Sequence, residues 1–173
     1  MDKSKLIWIT GLSGAGKTTI AKEVYSVMKK SQANTVLIDG DEFRYAIGND
    51  LGHELEDRIK NAYRIVRMCK YLYNQDINIV CSTMSLYKEI HEYIYMNFNN
   101  PLVVYLDVSM EELKNRNQKG LYSQGKNVTG IDLPFDEPVN KDFVLKLNND
   151  NNIQNTINKI IERCNIYENN AFG

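Results

Sequence analysis

Two short stretches concentrate the residue types that handle phosphate. GLSGAGKT, residues 11–18, satisfies G-x-x-x-x-G-K-[ST] at every position. Gly11, Gly14 and Gly16 let backbone N–H groups turn inward around phosphate oxygens, and a helix opening near Lys17 adds the positive end of its dipole. Lys17 can reach the β- and γ-phosphates of a nucleotide, and the Thr18 hydroxyl can ligate Mg²⁺. The second stretch is IDGDEFR, residues 38–44, in which Asp39, Asp41 and Glu42 stand beside Arg44. One carboxylate can hold Mg²⁺ through water, and another can accept the proton of an attacking hydroxyl. Arg44, with Arg58 of LEDR, offers a grip on the anionic part of an acceptor. Glu42 reads as a solvated turn residue.

These stretches need a scaffold, and the hydrophobic pattern supplies one. Near-continuous apolar runs at 5–10, 35–40, 77–83 and 101–108, with a weaker one at 142–149, suit strands buried on both faces of a parallel sheet. Helical segments are expected between them at about 17–31, 55–74, 85–97, 109–117 and 151–168. Residues 55–74 keep Ile59, Ala62, Ile65, Val66, Cys69 and Leu72 at helix spacing. The alternation predicts a three-layer, doubly wound α/β fold, with a five-stranded, mainly parallel sheet in one domain spanning 1–173. Such folds bind ligands at the carboxyl ends of the strands, which is where both chemical stretches fall. Residues 117–140 hold glycines and prolines without periodicity, and read as a long surface loop acting as a lid.

Composition narrows the class. Lys and Arg total 21 against 22 acids, so charge gives no reason to expect nucleic acid or an anionic membrane. Three cysteines without ligand spacing read as reduced thiols. No apolar run reaches membrane-spanning length, and the expected location is cytoplasmic. A GTPase would carry Asn-Lys-x-Asp, whereas NKDF at 140–143 has its aspartate one place too early. A motor would need more chain. A small-molecule kinase fits best; a non-catalytic nucleotide sensor is the alternative of another class, against which intact Lys17, Thr18, Asp41 and Arg44 argue.

GLSGAGKTT, IDGDEFR, NDLGHELEDRIKNAYRI, KGLY and TGID, in that order, resemble the adenylylsulfate kinases, over about residues 6–147. Those enzymes are P-loop kinases that pass the γ-phosphate of ATP to the 3′-hydroxyl of adenosine 5′-phosphosulfate. The resemblance implies that Gly11, Ser13, Gly14, Ala15, Gly16, Lys17, Thr18 and Thr19 hold ATP with Mg²⁺. Asp41 matches the candidate base, and Asp39 supports the metal region. Arg44, Arg58 and Asn61 match residues gripping the acceptor, and Arg116 matches an arginine lying against the ATP adenine. Lys119 begins the lid motif. Ser85 matches the serine of the family's ISPY, with Leu86 in place of its proline. The resemblance also implies a homodimer.

Two departures concern the acceptor. Where the family has DLGF this chain has DLGH, with His53, and where it has GFTGID this chain has NVTGID, with Val128. Both aromatic walls of an adenine pocket are missing together. Base–aromatic stacking contributes roughly 1–3 kcal/mol per base, so another base is expected. A cytidine nucleotide bearing a diphosphoramidate is favoured, as in the branch of the family serving capsular O-methyl phosphoramidate synthesis. Adenosine 5′-phosphosulfate remains the alternative, since the imidazole of His53 can also stack. His91 reads as structural.

Overall fold

The computed structural model describes residues 4–116, 120–124, 126, 128–140, 142, 144–148 and 152–170. Five strands, β1 (Leu6–Gly11), β2 (Thr35–Asp39), β3 (Asn78–Ser82), β4 (Leu102–Asp107) and β5 (Val144–Asn148), form one sheet in the order β2-β3-β1-β4-β5. Every pairing is parallel, Leu6 lying opposite Ile79 and Ile7 opposite Leu102. The helices are α1 (Lys17–Ser31), α2 (Gly40–Ala46), α3 (Leu55–Tyr73), α4 (Lys88–Asn97), α5 (Met110–Arg116), α6 (Leu121–Gln124) and α7 (Ile153–Asn170).

The pleat of β1 divides the interior. Ile7 and Ile9 point into a core with Ile20, Ala21 and Val24 of α1 and Ile157 and Ile160 of α7. Leu6 and Trp8 point the other way, against Ala62, Ile65, Val66 and Cys69 of α3 and Ile90 and Ile94 of α4. Trp8 is fully buried, and each side chain of this kind removed from water contributes roughly 1.5–3 kcal/mol. Alternate residues of one strand thus hold both helical layers, and apolar continuity along β1 is the cause of the three-layer architecture. Cys69, Cys81 and Cys164 are buried, and no disulfide joins them among the described residues. Among the described residues no helix is long and apolar enough to cross a membrane.

Three local expectations change. α2 was not anticipated: the acid-rich stretch after β2 is a helix, because Asp39 caps it. α4 begins at Lys88 instead of 85, since Tyr87 is extended at φ −129° and Ser85–Tyr87 form a strand-to-helix loop. The expected surface loop is partly packed: α6 forms within it, Thr129 bridges Leu133, and Val128, Thr129 and Pro138 are buried. Asp136 anchors its far end, its N–H donating to Leu86 O at 2.9 Å and its Oδ2 accepting from Lys88 N at 3.0 Å.

Candidate active site

The site begins where β1 stops. A tight turn closes over Leu12–Ala15, with the Ala15 N–H donating to Leu12 O at 3.1 Å. Gly14 (φ 84°) and Gly16 (φ 93°) are both left-handed, and Gly16 is the N-cap of α1. Lys17 Nζ donates to Leu12 O at 2.8 Å, folding back over the loop. Arg116, held by Glu112 at 2.9 Å, donates to Gly14 O at 3.3 Å. Tyr122 donates to Ser13 O at 2.5 Å.

β2 delivers the acids next to this loop. Asp39 is buried, and its Oδ1 accepts from the N–H groups of Asp41 (3.0 Å) and Glu42 (3.3 Å), the N-cap arrangement that satisfies the first donors of α2. Its Oδ2 accepts from the Thr18 hydroxyl at 2.8 Å. With both oxygens engaged, Asp39 ties the start of α2 to Thr18 of α1. Thr18 and Asp39 offer adjacent hard oxygens, a donor set that fits Mg²⁺ carried by a nucleotide. Asp41, one helical step on, is exposed and lines the cleft. Gly40 has a steric role: a Cβ there would meet Thr83 Oγ1 at 2.9 Å, so only glycine lets α2 approach the loop after β3 this closely.

The opposite wall comes from α2, α3 and the segment after β3. Arg44 Nε donates to Asn49 Oδ1 at 3.0 Å, and its Nη2 donates to the carbonyls of Leu51 and, at 2.7 Å, Gly52. Arg58 Nε donates to His53 O at 2.7 Å. Arg64 forks onto Asp50 at 2.6 and 3.0 Å, and this pairing holds the Asp50 carboxyl below its usual range. Three arginines therefore shape the loop at 49–53. On the floor, Thr83 and Ser85 share a hydroxyl–hydroxyl hydrogen bond of 2.7 Å, and the Thr10 hydroxyl donates to Met84 O. Asn61 Oδ1 is buried with no hydrogen-bond partner among the described residues, an acceptor open to a ligand donor.

These elements enclose a cleft of about 230 Å³. It brings together Ser13, Gly14, Gly16, Lys17, Thr18 and Thr19 with Asp39, Asp41, Arg44, Arg58, Asn61, Ser85 and Tyr87. Tyr87 is the one aromatic among these lining residues. Gly11 and Ala15 are buried beneath it, Arg116 touches its loop from outside, and neither His53 nor Val128 lines it. His53 is exposed, and Val128 is buried, its carbonyl accepting from Ile131, Asp132 and Leu133. Lys119 lies outside the described residues. Gly40, Ser82, Thr83 and Met84 line the cleft although the sequence reading passed over them. Their signal was positional: they follow β2 and β3 at the carboxyl edge.

Residues 3–146 match the family model described as Adenylylsulphate kinase. A cytidine diphosphoramidate kinase from Campylobacter jejuni is 34% identical over 163 residues, covering 91% of this chain and 95% of its own. An adenylyl-sulfate kinase from Clostridium kluyveri is also 34% identical, over 171 residues, covering 94% of this chain and 85% of its own. The structure of the Mycobacterium tuberculosis APS kinase in complex with AMPPNP and APS superposes with a TM-score of 0.83 at 26% identity, covering 94% of this chain and 98% of that one.

Proposed function

The chain belongs to the adenylylsulfate kinase family, and from that premise we propose that it phosphorylates the 3′-hydroxyl of cytidine diphosphoramidate with ATP. The observation that carries this reading is the cleft wall, which among the described residues has one tyrosine, no pair of facing rings, and several short polar side chains. A purine held by stacking has little to rest on there, whereas a pyrimidine read by hydrogen bonds has Asn61 Oδ1, Thr83 and Ser85 within the same cleft.

The chain's own groups divide the work. The phosphate loop and Lys17 orient the triphosphate and balance its charge. Thr18 and Asp39 would hold Mg²⁺, which supplies charge neutralisation across the β- and γ-phosphates when bound. Asp41 accepts the proton of the attacking hydroxyl. Arg44 and Arg58 bind the anionic tail of the acceptor through charge-assisted hydrogen bonds. We further propose a homodimer, following the family resemblance.

Adenosine 5′-phosphosulfate is the competing acceptor, favoured by the equal identity to an adenylyl-sulfate kinase. A competition between the two acceptors, with products separated by chromatography, decides. The expected kcat/KM ratio favours the cytidine compound by at least about tenfold, or ~1.4 kcal/mol in transition-state binding. Equal use, or preference for the adenosine compound, overturns the cytidine reading.

A further inference from the structure

Tyr122 has no part in the roles assigned above, yet its hydroxyl meets the phosphate loop at Ser13 O, 2.5 Å away. Its ring is half-buried and packs against the core cluster that contains Leu12 and Ala15, so packing fixes where the hydroxyl points.

The receiving peptide has two available states. Leu12–Ala15 is a β-turn closed by Ala15 N–H to Leu12 O, with Ser13 and Gly14 at its centre. Gly14 at φ 84° makes it type II. Rotating the central Ser13–Gly14 peptide by half a turn converts type II to type I while leaving the closing hydrogen bond in place. Glycine permits both signs of φ, so sterics alone choose neither state.

The choice matters to a phosphate. In a trans peptide the C=O and the next N–H point in opposite directions, and no described peptide bond is cis. Ser13 and Gly14 line the cleft and Tyr122 does not. Holding the Ser13 carbonyl on Tyr122 therefore turns the Gly14 N–H the other way, as a donor for phosphate oxygen. In the flipped state a carbonyl oxygen would occupy that side and repel the same oxygen.

We propose that Tyr122 is a positioning residue for ATP: its hydrogen bond to Ser13 O selects the type II turn and so presents the Gly14 N–H to the nucleotide phosphates. This rests on the reading of the cleft as an ATP site, and not on which acceptor is used.

The test is binding of a non-hydrolysable ATP analogue with Mg²⁺, without acceptor, together with steady-state kinetics. Tyr122→Phe keeps the ring and removes only the hydroxyl. It should weaken analogue binding and raise the ATP KM about fivefold, the loss of one ordinary hydrogen bond, while kcat and the acceptor KM stay within about twofold. Gly14→Ala disfavours positive φ and drives the same flip by another route, so the two losses should be less than additive in the double variant. Unchanged analogue binding in Tyr122→Phe, an equal rise in acceptor KM, or full additivity with Gly14→Ala overturns the proposal. Failure of the wild-type protein to bind the analogue overturns the ATP-site reading itself, a distinguishable result.

Discussion

On the donor side of the cleft, most of the geometry lies within one contiguous segment, with two left-handed glycines, a closed turn and the opening of α1, and Tyr122 reaches that turn from outside. On the acceptor side, side chains from α2 and α3 are spent on a neighbouring loop: Arg44 on Asn49, Leu51 and Gly52, Arg58 on His53, and Arg64 on Asp50. On the proposed reading, Arg44 and Arg58 would exchange these loop oxygens for those of an anionic acceptor, since a neutral carbonyl is a weaker partner for guanidinium than a phosphate or phosphoramidate oxygen.

The largest effects should come from the donor side and the residue facing it. Lys17→Ala should reduce kcat by about 10³-fold, and Asp41→Asn by about 10²-fold with ATP binding retained, both with unchanged melting temperature. Single-turnover kinetics and ATP titration separate the two. Near-normal turnover in Lys17→Ala would remove the phosphate loop from the chemistry.

A smaller effect, confined to the acceptor, is expected from the arginines. Arg44→Ala and Arg58→Ala should each raise the acceptor KM about tenfold, the loss of a charge-assisted contact, and leave the ATP KM within about twofold. A matching rise in ATP KM would erase the distinction between the halves.

How far each half was legible in the sequence follows the same line. The phosphate loop is a short-range pattern whose chemistry depends on backbone freedom, so GLSGAGKT and the apolar runs around it were enough to give β1, α1 and the sheet. α2 was missed because Asp39 and Asp41 were read for their chemistry and Glu42 as a solvated turn residue. The spacing of Asp39 and Glu42 is also that of a capping pair, and Asp39 does cap the helix. Thr83 and Met84 could not be found from spacing, since they enter the cleft only because β3 lies between β2 and β1. Nor could the contact between Tyr122 and Ser13, which joins residues far apart in the chain. His53 and Val128 were named as replaced aromatic walls; neither is among the described residues that line the cleft.

The smallest effect on turnover is expected at His91, behind the acceptor wall. Burial holds this histidine down to about 4, with Asp136 opposing, against about 6.5 when unfolded. Between those values the unfolded chain binds a proton that the fold refuses. The stability is therefore complete above about pH 6.5 and is lost as pH falls toward 4, by up to about 3 kcal/mol. His91→Leu should flatten that acid limb in urea unfolding while leaving turnover at neutral pH within about twofold. An unaltered limb would assign the acid sensitivity to another group.

The central position of β1 has a consequence for the birth of the protein. Its partners are β3 and β4, Leu6 pairing with Ile79 and Ile7 with Leu102, whereas β2, next in the chain, lies beyond β3. A nascent chain that has emerged only as far as α2 already carries every letter of the phosphate-loop motif and none of the strands that flank it. Such distant pairings form late, after long loops have closed. ATP binding is therefore expected only after β3 and β4 have joined β1, and a ribosome-bound fragment ending before β4 should be blind to the nucleotide.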